Sequence, residues 1–244
     1  MIIEICADSV LSAIEAEKGG ADRIELCANL FEGGTTPSWG CICLCRKHIQ
    51  IGIFVLVRPR AGDFLYSALE IEVMMEDIKA AKQLGADGLV LGALTAEGQV
   101  DIPTMEKLMQ VAHPLPVTFH RAFDMAQDPF KALEDIISLG AKRILTSGQE
   151  KTAFEGTDLL AELVEKANNR IVIMAGGGVT ERNIPKIHQL TGITEFHSSA
   201  RKKVVSRMQH QNNNVFMGGE LRLPEFVNSI ADMEKVKKMK FSQL

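Results

Sequence analysis

Eight short runs of β-forming residues are spaced along the chain, and nearly every one ends on or beside a reactive or polar group. The runs are 2–6, 23–27, 53–58, 88–92, 116–120, 143–147, 171–175 and 194–197, closing on Cys6, Cys27, Arg58, Gly92, His120, Ser147, Gly176 and His197. Between runs, Val73, Met74, Ile78, Ala81 and Leu84 recur at helical steps, as do Leu133, Ile136, Ile137 and Leu139, which marks helices with one apolar face. Regular strand and helix alternation predicts a parallel sheet. Four similar segments lead into strands: Gly20-Ala21-Asp22-Arg23, Gly85-Ala86-Asp87-Gly88, Gly140-Ala141-Lys142-Arg143 and Gly192-Ile193-Thr194-Glu195. Each glycine stands where a helix closes in a left-handed cap. The set recurs roughly every 50 to 65 residues, the length of a βαβα unit, and four such units close a barrel. The expected fold class is therefore α/β, a (β/α)8 TIM barrel forming a single domain over 1–244; an open doubly wound sheet would not be so regular.

Of 244 residues, 46% are hydrophobic, enough for one large core. With 27 basic against 31 acidic side chains, a net charge of −4 and no basic stripe of helix length before the tail, no nucleic-acid partner is expected. No run approaches the roughly 18 apolar residues of a membrane span, and no cationic leader precedes the first strand, so no membrane partner and a cytoplasmic location are expected. Five cysteines, an odd number, favour reduced thiols over a disulfide framework.

Two connections exceed ordinary turns. Residues 28–39, rich in glycine and threonine, follow a strand and read as a candidate lid over the barrel mouth. Residues 202–223, with the polar run 209–214, read as an irregular loop before a last helix at about 224–238.

The two-residue strand period sorts side chains by face. Ile3 and Ile5 face the helices, so Glu4 and Cys6 point inward, and the same parity turns Glu25 and Cys27 inward. Phe54, Leu56 and Arg58 share a face, as do Thr118 with His120 and Glu195 with His197. Buried charges must be paired. Glu4 and Glu195, deeper in their strands, fit an interior ion network, while Glu25, Arg58, His120 and His197 near strand ends fit acid–base and substrate-holding roles. Arg60 follows Arg58 across a proline and Arg121 follows His120, adding guanidinium groups for an anion, with Asp124 placed to orient Arg121. Asp128-Pro129 reads as a helix cap and first helical residue. After the seventh strand come Gly176, Gly177 and Gly178, and after the eighth Ser198 and Ser199; these are the loops where barrels often hold phosphate, so Gly177, Gly178, Ser198, Ser199 and Arg60 are anion-binding candidates.

Cys6 and Cys27 end neighbouring strands about 4.8 Å apart, so their sulfurs can converge on a soft ion such as Cu(I), form a reactive thiol pair, or stand as two small buried hydrophobes. Cys41, Cys43 and Cys45 fall on a helix at about 38–48, where Cys41 and Cys45 share a face; core packing is the expected role.

Long motifs in order, Ala21-Asp22-Arg23-Ile24-Glu25-Leu26-Cys27, Glu32-Gly33-Gly34-Thr35-Thr36-Pro37-Ser38, Arg58-Pro59-Arg60-Ala61-Gly62-Asp63-Phe64, Pro116-Val117-Thr118-Phe119-His120-Arg121-Ala122-Phe123-Asp124, Leu145-Thr146-Ser147-Gly148 and Glu195-Phe196-His197-Ser198-Ser199, resemble the CutC family, named for copper homeostasis. The likeness runs from Ile2 to about Arg201, departing at the extra thiols of 41–45 and fading after Lys202. It implies a cytoplasmic (β/α)8 barrel, a homodimer or homotetramer, linked to copper tolerance and binding Cu(I) through cysteines that fall here on Cys6 and Cys27. Two functions stay open: Cu(I) handling through those thiols, and an enzyme acting on a small anionic metabolite, phosphorylated or not, with His120 or His197 as acid or base.

Overall fold

In the computed structural model, which describes residues 1–212, 214–215 and 227–241, eight parallel strands close a barrel. They are β1 (Ile2–Ala7), β2 (Arg23–Leu26), β3 (Gly52–Leu56), β4 (Gly88–Leu91), β5 (Val117–Phe119), β6 (Arg143–Thr146), β7 (Val172–Ala175) and β8 (Glu195–Ser198). They are hydrogen-bonded in sequence order, and β8 closes on β1 with Ile2 opposite Glu195 and Glu4 opposite His197. Helices α1 (Val10–Lys18), α2 (Trp39–His48), α3 (Ala68–Gln83), α4 (Ile102–Ala112), α5 (Pro129–Ser138), α6 (Thr157–Ala167) and α7 (Ile184–Thr191) follow the first seven strands. The sequence writes their starts: Ser9, Ser38, Asp101 and Asp128 each accept a bond from a first-turn amide, and Ser67 forms a capping box with Glu70.

Strand parity separates two cores. Ile3, Ile5, Ile24, Ile53, Val55 and Leu89 point outward into a continuous apolar layer beneath the helices, each fully buried and contributing about 1.5–3 kcal/mol. A separate cluster of Cys6, Cys27, Phe54, Leu56 and Val90 fills the inside of the barrel on the β1–β4 side. Strands β2, β3 and β5 end before their apolar runs do, so Cys27, Arg58 and His120 stand just beyond the last strand residues, in the segments leaving them.

The tail departs from expectation. Residues 202–223 do not begin as an irregular loop: β9 (Arg201–Val205) pairs antiparallel with β10 (Val227–Ala231), and the last helix, α8, is Met233–Phe241 rather than 224–238. Arg201, Lys202 and Lys203 run in front of two valines, so β9 lacks the apolar alternation that marks a strand. Part of the expected loop, and the start expected for its helix, lie outside the described residues. The candidate lid is held down: Ala28 and Thr35 bridge across it, and the Thr36 N–H donates to Arg58 O at 2.9 Å.

Candidate functional site

A charged layer crosses the barrel interior. Glu4 is fully buried, and its carboxylate takes Arg23 Nε at 2.5 Å and His197 Nδ1 at 2.8 Å, from the strands on either side of β1. Arg23 Nη2 reaches Glu195 at 2.5 Å, and Arg143 Nε reaches the same carboxylate at 3.1 Å. The Phe54 ring lies between the two arginines, 5.4 Å from Arg23 and 5.2 Å from Arg143. Burial alone would raise the Glu4 pKa, but the His197 hydrogen bond and the Arg23 charge overcome it and hold the value down to about 2. An ionised Glu4 only accepts, so His197 donates from Nδ1. Burial pushes His197 toward its neutral form, yet Glu25 and Glu4 together raise its pKa above the ordinary value.

Above this layer is the thiol corner. Cys6 and Cys27 Sγ are 3.6 Å apart, and Cys6 Sγ donates to Glu25 Oε1 at 3.6 Å. The hydrogen bond with Cys27, burial and the Glu25 charge push the Cys6 thiol well above its usual pKa, so Cys6 rests protonated. Burial likewise raises Glu25. Ligand atoms of Cys6, Glu25 and His197 all lie within 4.8 Å of one another, bringing a soft thiol, a borderline imidazole and a hard carboxylate to one spot. Gly34, at φ +91, is what lets the tied loop pack here: a Cβ would meet Leu56 at 2.8 Å and Cys27 Cβ at 3.4 Å.

Cys6, Glu25 and His197 open into a cavity of about 790 Å³ at the carboxyl ends of the strands, whose wall also includes Arg58, His120, Arg121, Gly177, Gly178, Ser198 and Ser199. Three buried polar atoms of its wall residues, Glu25 Oε2, Arg58 Nε and His120 Nε2, make no hydrogen bond among the described residues. The His120 Nδ1 accepts from the Ala122 N–H at 3.2 Å, and burial together with the Arg58 charge drives its pKa down to about 3, so this imidazole is neutral.

The guanidinium groups divide. Arg58 lines the cavity, but its two terminal nitrogens are spent on the carbonyls of Glu32, Gly34 and Gly62, at 3.0, 2.7 and 2.8 Å. Arg60 is absent from the wall: it bonds Glu70 and Asp63 beside the Tyr66 ring. Asp124 is also off the wall, joining Arg121 Nε at 2.7 Å to the Ser147 N–H at 3.0 Å. Cys27 sits behind Cys6. Arg121, with its side chain 43% exposed, leaves part of its guanidinium facing the opening, 3.3 Å from where a side chain at Gly177 would stand. Arg182, on the same wall, is exposed, and its guanidinium has no partner among the described residues. Parity could have flagged Arg23, which shares a face with Glu25 and Cys27, and Arg143, which shares one with Ser147. No sequence signal marks Arg182, which follows the glycine triplet.

The model of the CutC family matches residues 1–202. The chain belongs to the CutC family. Its relatives include the human copper homeostasis protein cutC homolog, 52% identical over 97% of this chain and 86% of that protein, and a Bacteroides thetaiotaomicron family protein CutC, 51% identical over 96% and 94%. A Streptococcus agalactiae crystal structure described as a CutC copper homeostasis protein superposes with a TM-score of 0.79 at 39% identity, covering 82% of this chain and 98% of that one. This CutC chain thus sits in a family named for copper homeostasis. Among the described residues no helix is long and apolar enough to cross a membrane.

Proposed function

We propose that this chain binds Cu(I) as cargo at Cys6 and Cys27, with His197 within reach as a third donor. The observation that carries the reading is the pair of sulfurs 3.6 Å apart, one of them on the wall of the mouth cavity. Two thiolates on one ion, at bonds of about 2.3 Å, stand roughly 3.8 to 4.6 Å apart as the angle opens from tetrahedral to linear, so a small side-chain adjustment suffices. Five free thiols and a soft monovalent ion both suit a reducing cytoplasm. Anaerobic titration of Cu(I) against a competing chelator tests it: Cys27→Ala should weaken binding at least a hundredfold. Equal affinity in the variant would end the cysteine assignment.

The orphaned Glu25 Oε2 and His120 Nε2 favour a second reading, an enzyme acting on a small anionic metabolite. Glu25 and His197, both shifted upward, are a matched pair for moving a proton at the cavity floor. Mass spectrometry of metabolites retained by the wild type and by Glu25→Gln tests this. A small organic anion held by the first and turned over only there supports catalysis; no retained anion removes it.

A further inference from the structure

The cavity is far larger than its proposed cargo, since a desolvated ion occupies less than a water molecule's share of about 30 Å³. Its wall is also of the wrong sign for a bare cation. Among the described residues of the wall, Arg58, Arg121, Arg182, Arg201 and Lys235 face only Glu25 and Glu181. Arg58 and Lys235 are bonded to carbonyls and Arg201 is paired with Asp8, which leaves Arg182 and part of Arg121 as the cations turned to solvent. A positive opening over a soft-metal site slows free Cu(I) and gathers anions, by a factor of about 10 to 1,000 in encounter rate at low salt. Three buried polar atoms of the wall residues, Glu25 Oε2, Arg58 Nε and His120 Nε2, have no partners among the described residues, as expected where an organic ligand with polar groups is to sit.

We infer that the cavity is a docking site for an anionic thiolate complex of Cu(I), in which the metal arrives held by small carboxylate-bearing thiols. This rests on the Cu(I) reading of Cys6 and Cys27. The carboxylates of the carrier meet Arg182 and Arg121 beside Gly177 and Gly178, and the copper is presented to Cys6, the thiol on the wall. The exchange is balanced without an oxidant or reductant. Two carrier sulfur–copper bonds break and two protein sulfur–copper bonds form, the thiol protons of Cys6 and Cys27 leave with the two departing carrier thiolates as neutral thiols, and copper stays Cu(I).

The test is anaerobic stopped-flow uptake, followed by the thiolate-to-copper absorption, from two donors: the Cu(I)–glutathione complex, which is anionic, and the Cu(I)–acetonitrile complex, which is cationic. Arg182 is exposed, so Arg182→Glu leaves the fold intact. The expected result is uptake from the glutathione complex about tenfold slower in Arg182→Glu at low salt, uptake from the acetonitrile complex unchanged or faster, and equal Cu(I) affinity at equilibrium. S-methylglutathione, whose sulfur carries no exchangeable proton, should slow uptake in the wild type by occupying the carboxylate positions. Equal slowing with both donors, or no slowing with either, overturns the docking site while leaving the Cu(I) assignment standing. Absence of Cu(I) binding at equilibrium from either donor overturns the assignment itself, and the docking proposal with it.

Discussion

His197 Nδ1 lies 2.8 Å from Oε1 of Glu4, directly across the β1–β8 register, so the closing seam of the barrel is also the floor of the site. Replacing Glu4 with glutamine keeps the shape and removes the charge that Arg23 and His197 share. Stripping one partner from a buried ion network costs about 3–5 kcal/mol. Urea unfolding should register that loss, and an NMR titration of the His197 ring should move to lower pH. An unmoved titration would mean that Glu4 does not set the protonation of His197.

Acid should weaken the fold through His120. Its folded pKa of about 3 lies below the ordinary 6.5, so the unfolded chain binds the extra proton between those values. The contribution is fully present above about pH 6.5 and is lost as pH falls toward 3, amounting to a few kcal/mol. Glu4, held at about 2, adds a second loss as pH falls below its ordinary 4.5. Denaturation midpoints measured from pH 7 to 4 should fall less steeply in His120→Gln than in the wild type; parallel curves would remove His120 as the cause.

Cys41 should be the most reactive thiol. A hydrogen bond from Cys45 lowers its pKa to about 7 against a smaller opposing effect of burial, while Cys45 itself is raised and fully buried. Timed iodoacetamide labelling at pH 7.5, read by peptide mass spectrometry, should modify Cys41 at least tenfold faster than Cys6, Cys27 or Cys45. Faster labelling of Cys6 would show that the Cys6 thiol is not held protonated.

Gly177 holds φ +94, and a Cβ there would stand 3.2 Å from Ser147 Cβ and 3.3 Å from the Arg121 guanidinium. Gly177→Ala should cost about 1–3 kcal/mol in thermal unfolding through backbone strain. It should also turn Arg121 away from the opening, visible as slower uptake from the anionic copper complex. Wild-type stability in the variant would refute the strained backbone.

Barrel topology was legible because the glycine-led segments repeat and the apolar runs alternate with helical periods. Parity then placed Glu4, Cys6, Glu25, Cys27 and Glu195 inside. What stayed hidden depends on partners far apart in the chain. Parity turns Arg23 inward, but its ion pairs form only when Glu4 on the adjoining β1 and Glu195 on β8 are brought beside it, 19 and 172 positions away. Arg60 and Asp124 resemble mouth residues in the sequence, but each has nearby groups that absorb it, Arg60 the Asp63 and Glu70 carboxylates and Asp124 the Arg121 side chain and Ser147 amide. The β9–β10 pairing is not legible because a distant partner strand, rather than alternation within β9, makes it a strand.

Arg58 fastens the segment after β2 to the segment after β3 through the carbonyls of Glu32, Gly34 and Gly62. The rim on the β2–β3 side is thereby tied together. Arg121, the glycine turn and Arg182 stand on the segments after β5 and β7, and that arc is the doorway of the proposed docking site, separated from the Cys6 strand by β8 alone. Sequence change around that doorway can alter what is admitted without touching the metal-binding sulfurs, whereas change at Arg58 would open a second route directly above them.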